Sequence, residues 1–142
     1  MVEIRNLKRE DVEEALELLR SCFDRFELEE ITPANLLEWT RQFSGGVKVA
    51  VENGRVIGFV FAFAHQRVGW ITFLCVRREF RRRGIGAKLL EQAVEYLKGR
   101  GVQTVKLDVE PRNPAVKLYR KFGFELERQL LRLRKEFKRS LG

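Results

Sequence analysis

An α/β (α+β) fold, one mixed β-sheet flanked by helices on both faces, is what the sequence predicts. Three observations carry that expectation. Stretches with apolar residues every three or four positions fall between blocks of alternating apolar residues, in the order β-α-α-β-β-β-α-β-α-β-β. One block, Val68 to Val76, is apolar on both faces, as a central strand covered on two sides must be. The chain has 142 residues and no Pro/Gly/Ser-rich linker, so residues 1–142 read as a single domain.

Val2 to Asn6 reads as a short first strand. From Arg9 to Phe26 the apolar positions are Val12, Ala15, Leu16, Leu19, Cys22, Phe23 and Phe26, the steps of an amphipathic helix. Pro33 suits the first turn of a second helix, whose apolar face is Leu36, Leu37, Thr40 and Phe43; Ser44-Gly45-Gly46 ends it. Val47 to Val51 and Arg55 to Ala64 are strands, and Asn53-Gly54 between them predicts a type I′ hairpin. Val68 to Val76 follows. Gly84 to Gly99 is helical on Ile85, Leu89, Ala93 and Leu97. Val105, Leu107 and Val109 alternate with Lys106, Asp108 and Glu110 as a half-buried strand. Asn113 to Lys121 is a short helix stopped by Gly123, and Phe124 to Glu127 and Gln129 to Phe137 read as closing strands.

Composition removes several function classes. The chain is 44% hydrophobic and 34% charged, which excludes a disordered or collagenous chain. Its longest apolar run, Val56 to Ala64, is less than half of the roughly 20 residues a membrane helix needs, so no membrane span is expected. No apolar stretch follows Met1, so no secretory signal is expected and a cytoplasmic location is. Cys22 and Cys75 then read as reduced core thiols, and a lone histidine, His65, leaves too few ligands for zinc; no metal is expected. The net charge of +8 is uneven: residues 1–46 carry −5 and the rest +13. That split suggests two sites of opposite preference, or solvated faces.

The chemistry concentrates in Leu74-Cys75-Val76-Arg77-Arg78-Glu79-Phe80-Arg81-Arg82-Arg83-Gly84-Ile85-Gly86-Ala87. A buried strand is followed by five arginines in seven residues and by Gly-Ile-Gly at a helix start. Glycines let a ligand approach the backbone, and the free N–H groups and dipole of the first turn favour an anion. Neighbouring guanidiniums add charge-assisted bonds. The alternative is a tight turn with solvated arginines. No Walker run is present, and the third glycine of a dinucleotide fingerprint is missing, with Lys88-Leu89 in its region.

Arg81-Arg82-Arg83-Gly84-Ile85-Gly86 resembles the Arg/Gln-x-x-Gly-x-Gly/Ala motif of the GNAT superfamily of N-acetyltransferases. Leu118-Tyr119-Arg120-Lys121-Phe122-Gly123-Phe124 is similar to the family's Leu-Tyr-x-x-x-Gly-Phe pattern, and the order of elements matches along the whole chain. The resemblance implies a GNAT-like acyl-CoA N-acyltransferase fold: a splayed mixed sheet with acetyl-CoA, the cosubstrate, in the V between the fourth and fifth strands. It implies that the backbone of Leu74, Cys75 and Val76 pairs with the pantetheine arm. The segment Arg81, Arg82, Arg83, Gly84, Ile85, Gly86 and Ala87 then holds the pyrophosphate. Tyr119 protonates the leaving thiolate, or else is a core aromatic on its helix.

Two positions depart from the pattern. Where the family often has asparagine, seven residues before the tyrosine, this chain has Arg112, and Asn113 comes one residue late; both count as candidate cofactor contacts. Where many members carry a glutamate base early in the fourth strand, this chain has Trp70. The base is therefore open among Glu110, His65, Glu29, Glu30 and a water relay, Glu110 being the nominee for its place at the end of the fifth strand. The resemblance makes Phe23 to Pro33 the acceptor-shaping connector. Asp24, Glu27, Glu29 and Glu30 beside Phe23 and Phe26 suit a cationic amine, whether a small molecule, a lysine or a protein N-terminus, or form an ordinary solvated loop. The expected function is N-acetylation of a primary amine by direct attack in a ternary complex. The competing readings are a catalytically silent CoA-binding domain and a basic nucleic-acid-binding module. The latter lacks aromatic interleaving, so nucleic acid is not the expected partner. A homodimer is left open.

Overall fold

The computed structural model describes residues 1–24, 27–29 and 31–138. The chain divides into two compact units, Met1–Asp108 and Val109–Gly142, and each is described by itself.

The first unit holds a five-stranded sheet in the order β1-β2-β3-β4-β5: β1 Glu3–Asn6, β2 Val47–Glu52, β3 Arg55–His65, β4 Val68–Val76 and β5 Thr104–Lys106. The first four strands pair antiparallel, and β4 pairs parallel with β5. The β2–β3 hairpin turns at Asn53 and Gly54 with φ of 52° and 75°, the two positive values a type I′ turn needs.

A 3-10 turn over Arg9–Asp11 runs into α1, Val12–Cys22; α2 is Pro33–Gln42 and α3 is Ile85–Gly99. One sheet face buries Val47, Val49, Phe59, Phe61 and Cys75 with Leu16, Leu18 and Leu19 of α1 and Leu36 of α2. The other face packs α3. A Cβ placed on Gly58 would lie 2.8 Å from Leu89, and one on Gly69 would lie 2.9 Å from Leu97, so both glycines are seats for helix side chains. Helices on both faces are thus observed. Helix α1 is shorter than the periodicity predicts. Phe23 is extended, at φ −127° and ψ 152°, and its N–H closes onto the Leu19 carbonyl. Phe26 and Glu30 lie outside the described residues.

The β4–β5 ladder is also short. It runs from Val68↔Thr104 to Trp70↔Lys106 and stops. Beyond it β4 pairs only with β3 among the described residues, and does so through a bulge. Phe59 faces Cys75 and Phe61 faces Thr72, so Phe73 and Leu74 together oppose Val60. Phe73 has φ of +56°, a left-handed conformation rare for a bulky side chain. Such a bulge bends its strand and sharpens the local twist. The strand expected over 105–110 therefore shrinks to Thr104–Lys106, and Glu110 does not end a strand.

The second unit contains α4, Ala115–Lys121, which starts two residues later than expected. The two closing strands expected over 124–137 are absent among the described residues. Alternation supplied a face for them, but no hydrogen-bond ladder forms, and Leu130, Leu131, Leu133 and Phe137 stay exposed. Gly123, at φ +89°, ends α4: its N–H reaches the Arg120 carbonyl, while Phe124 N–H reaches the Tyr119 carbonyl. Those crossed bonds are a Schellman cap.

Candidate functional site

In the first unit, Leu74, Cys75 and Val76 lie on the stretch of β4 that β5 does not reach. On that side no strand pairs with them among the described residues, though Arg81 Nε takes the Val76 carbonyl, so the edge is a template for an extended ligand at its remaining groups. Chain direction then changes through a 3-10 turn, Arg78–Phe80, which the sequence pattern did not show. Arg82 and Gly84 adopt φ of +66° and +77°, and α3 begins. Only the glycine adopts that conformation without steric cost. Gly84 carries no side-chain cap, and the first intrahelical bond runs from Lys88 N–H to the Gly84 carbonyl. The N–H groups of Arg82, Arg83, Gly84, Ile85, Gly86 and Ala87 thus have no protein acceptor among the described residues. Six successive unsatisfied donors at the positive end of a 15-residue helix form an anion cradle.

The arginines around this turn divide by task. Arg77 is structural: its N–H reaches the Ile57 carbonyl at 2.7 Å, its Nη2 reaches the Val56 carbonyl at 3.3 Å, and its Nη1 faces Glu17 at 3.7 Å. Arg81 folds back, Nε donating to the Val76 carbonyl at 3.0 Å and Nη2 to Cys22 Sγ at 3.8 Å. Arg83 lies over the Phe80 ring and 3.8 Å from Glu52. Arg78 and Arg82 have no side-chain partner among the described residues and remain available to an anion. The sequence showed five equivalent cations; the structure commits three of them to the fold.

On the α1/α2 face, half-buried aromatics gather beside the bulge. Phe73 takes the edge of Phe23 at 5.5 Å and lies parallel to Trp39 at 6.4 Å; Trp39 stacks on Phe61 at 4.6 Å. The exposed carboxylates Asp24, Glu27 and Glu29 follow in the connector. His65 is exposed at the end of β3, opposite Val68, rather than in the loop beyond it. Trp70 stands in β4 between Phe63 and Lys106.

In the second unit, Tyr119 is 9% exposed, and its ring meets Phe124 edge-on at 6.0 Å. That contact is the apolar part of the Schellman cap, so the Leu-Tyr-x-x-x-Gly-Phe pattern has a structural meaning of its own. Asn113 Oδ1 accepts from Ala115 N–H at 2.9 Å and so caps α4, leaving its amide nitrogen for other contacts. Arg112 is exposed. Glu110 is exposed in a turn whose carbonyl accepts from Asn113 N–H. Among the described residues no cluster of acidic, histidine and cysteine side chains suits a metal, and no helix is long and apolar enough to cross a membrane.

Residues 12–124 match the model of the Acetyltransferase (GNAT) family. An uncharacterized N-acetyltransferase of Methanocaldococcus jannaschii is 30% identical over 135 residues, covering 86% of this chain and 60% of that protein. N-alpha-acetyltransferase 30 of Schizosaccharomyces pombe is 33% identical over 90 residues, covering 59% of this chain and 60% of its own. The chain therefore spans about 60% of the length of these curated relatives. Among solved structures, a Trypanosoma brucei acetyltransferase matches with a TM-score of 0.77 at 26% identity, over 95% of this chain and all of its own. The PaiA N-acetyltransferase of Thermoplasma acidophilum, solved with coenzyme A, matches at 0.78 and 23% identity, over 89% and 91%, a likeness of fold.

Proposed function

The chain belongs to the GNAT acetyltransferase family, and on that premise we propose that it transfers an acetyl group from acetyl-CoA to a primary amine by direct attack in a ternary complex. The observation that carries the reading is the row of six unsatisfied N–H groups over Arg82 to Ala87. A diphosphate is the part of coenzyme A that such a row suits. Arg82 and Arg78 add the free cations nearby, Arg81 and Arg83 contribute backbone and field, and the edge at Leu74, Cys75 and Val76, which has no strand partner on that side among the described residues, suits the amide groups of a pantetheine arm. Acetyl-CoA supplies the activated thioester.

The chain's own groups supply the proton transfers. Tyr119 is the proposed acid: a phenol ordinarily stays protonated at neutral pH and can protonate a departing thiolate. Glu110 is the proposed base for the amine, directly or through water, and Arg112 and the Asn113 amide are proposed cofactor contacts. The acceptor is a cationic amine, held by the aromatic wall of Phe23, Trp39 and Phe73 and the acidic connector beside it. In this reading residues 1–142 act as one cytoplasmic catalytic domain.

Calorimetry with acetyl-CoA and a screen of amines and peptides for release of free CoA test the proposal. Saturable acetyl-CoA binding with amine-dependent CoA release supports it. Binding without thioester consumption across the panel overturns the transferase reading in favour of a silent CoA-binding domain.

A further inference from the structure

The end of α1 and the outer stretch of β4 bring two sulfurs together that the acetyl-transfer reading does not use. Cys22 is the last residue of α1 and is half-buried; Cys75 faces the same core and is 7% exposed. Cys22 packs against the core cluster that contains Cys75, and both thiols are free. Ser21 Oγ lies 3.7 Å from Cys22 Sγ, and Arg81 Nη2 donates to that sulfur from 3.8 Å. The guanidinium is anchored by its Nε bond to the Val76 carbonyl, so the positive charge is held in place.

These neighbours make the two sulfurs unequal. The hydrogen bond from Cys75 does most to stabilise a Cys22 thiolate; burial opposes it, Ser21 and Arg81 add to it, and the thiol sits at about 6. Cys75 is pushed the other way, first by the bond to Cys22 and then by its burial, although Arg81 and Arg77 oppose the rise. A half-exposed, electropositive thiolate beside a buried protonated thiol is the arrangement of an attacking and a resolving cysteine.

We propose that Cys22 and Cys75 are a redox-active dithiol, oxidised to a disulfide by low-molecular-weight disulfides, with Cys22 as the attacking sulfur. The Cys22 thiolate attacks one sulfur of RSSR; the Cys22–SR bond forms, the S–S bond breaks, and RS⁻ leaves and takes a proton. Cys75 then loses its proton to solvent and attacks Cys22 Sγ, and the second RS⁻ leaves. The two cysteines give up two electrons and two protons, and RSSR becomes two RSH. The product ties the end of α1 to β4 and removes the thiolate that Arg81 holds.

The test uses dipyridyl disulfide on the folded protein, following thiopyridone release by absorbance and the product by intact mass. Wild type should release two thiopyridones per chain, keep no adduct and lose two hydrogens. Cys75→Ala should release one and keep a pyridyl adduct on Cys22; Cys75→Val serves if alanine loosens the core. Cys22→Ser should be inert while folded. At pH 7 a thiolate's lower basicity cancels most of its greater abundance, so the rate advantage over an ordinary thiol is only about twofold. At pH 5.5, where ordinary thiols are almost wholly protonated, the first release should be roughly twentyfold faster than that of a free thiol such as glutathione. A stable adduct on wild type, reaction of Cys22→Ser at the wild-type rate, or an inert wild type would each overturn the proposal.

Discussion

The 3-10 turn leading into α1, helix α2 and helix α4 each satisfy a donor at their start with a side chain of their own; α3 does not. The Asp11 carboxylate accepts from Lys8 N–H at 2.7 Å, Thr32 Oγ1 from Asn35 N–H at 3.1 Å, and Asn113 Oδ1 from Ala115 N–H at 2.9 Å. The longest of these helices, α3, begins instead at a left-handed glycine with no cap. Ser, Thr, Asp or Asn there would satisfy a donor from within the chain, at a gain over glycine of only about a few tenths of a kcal/mol. At α3 the chain leaves donors for something else to satisfy. Disturbing the α3 start should therefore cost ligand affinity with little stability, and disturbing the others should cost stability with little affinity.

The largest effect is expected from Gly86→Asp. A carboxylate beside the six free N–H groups competes for them and repels a diphosphate. At about 4 Å in a surface-like dielectric a like-charge pair costs about 4 kcal/mol, on the order of a thousandfold in affinity. Calorimetry should show acetyl-CoA binding nearly lost, with the urea midpoint little changed. Unchanged affinity in a folded variant would mean that the free donors at α3 are solvated and nothing more.

Tyr119→Phe probes the second motif of the resemblance, where a Schellman cap closes the helix. The ring contact with Phe124 and the Schellman bonds remain, so the fold should be kept and only the hydroxyl lost. The expected loss is roughly a hundredfold in turnover, the usual scale for a general acid, with acetyl-CoA affinity unchanged. Wild-type turnover with a working amine would leave Tyr119 a capping aromatic.

The same contrast explains what was legible in the sequence. Local chemistry was: Asn53-Gly54 at its hairpin, Pro33 after a capping Thr32, Gly123 at the end of α4, and Gly-Ile-Gly opening α3 are each decided within a few residues. Pairing was not. Leu131 and Leu133 alternate with arginines as a strand would, yet are 90% and 87% exposed, because alternation assigns a face and not a partner. The shortening of β5 depends on where β4 departs from it, and the left-handed Phe73 depends on two residues meeting one on β3. Cys22 and Cys75 are far apart in the chain, so neither the core they share nor the arginine at the Cys22 sulfur had a local signal. Of the candidate site, the backbone cradle could be read and the division of the arginines could not.

Asp11→Asn should give the next effect. Asp11 is 5% exposed and takes Arg5 through two bonds, at 2.7 and 3.1 Å, besides the Lys8 N–H. Burial alone would raise its pKa; the Arg5 and Lys8 bonds outweigh that and hold it below the usual carboxylate value. The ionised form is thus favoured by folding. Its contribution is complete above about pH 4, the unfolded value, and fades as pH falls through the lowered native value. The asparagine variant should lose about 2–3 kcal/mol at pH 7, the scale of hydrogen bonds to a charged group. The deficit relative to wild type should shrink as the pH drops below about 4. Urea titrations at neutral and acidic pH check both parts; a deficit independent of pH would place the loss in packing instead of charge.

The smallest effect is expected from Thr32→Ala. Thr32 is exposed, and its hydroxyl satisfies one donor of α2. Pro33 still fixes the backbone of the first helical residue and needs no acceptor for its missing N–H. The loss should therefore fall at the lower end of the capping range, about 0.5–1 kcal/mol. Thr32→Ser keeps the acceptor oxygen and should recover nearly all of it, which separates the cap from the lost methyl group. Acetyl-CoA affinity should stay at the wild-type value in both variants, because the donor Thr32 satisfies belongs to α2 and not to the α3 cradle. A drop in affinity for Thr32→Ala, with Thr32→Ser restoring it, would break the distinction between self-capped and uncapped helix starts, since a surface cap would then be setting the geometry of the turn before α3.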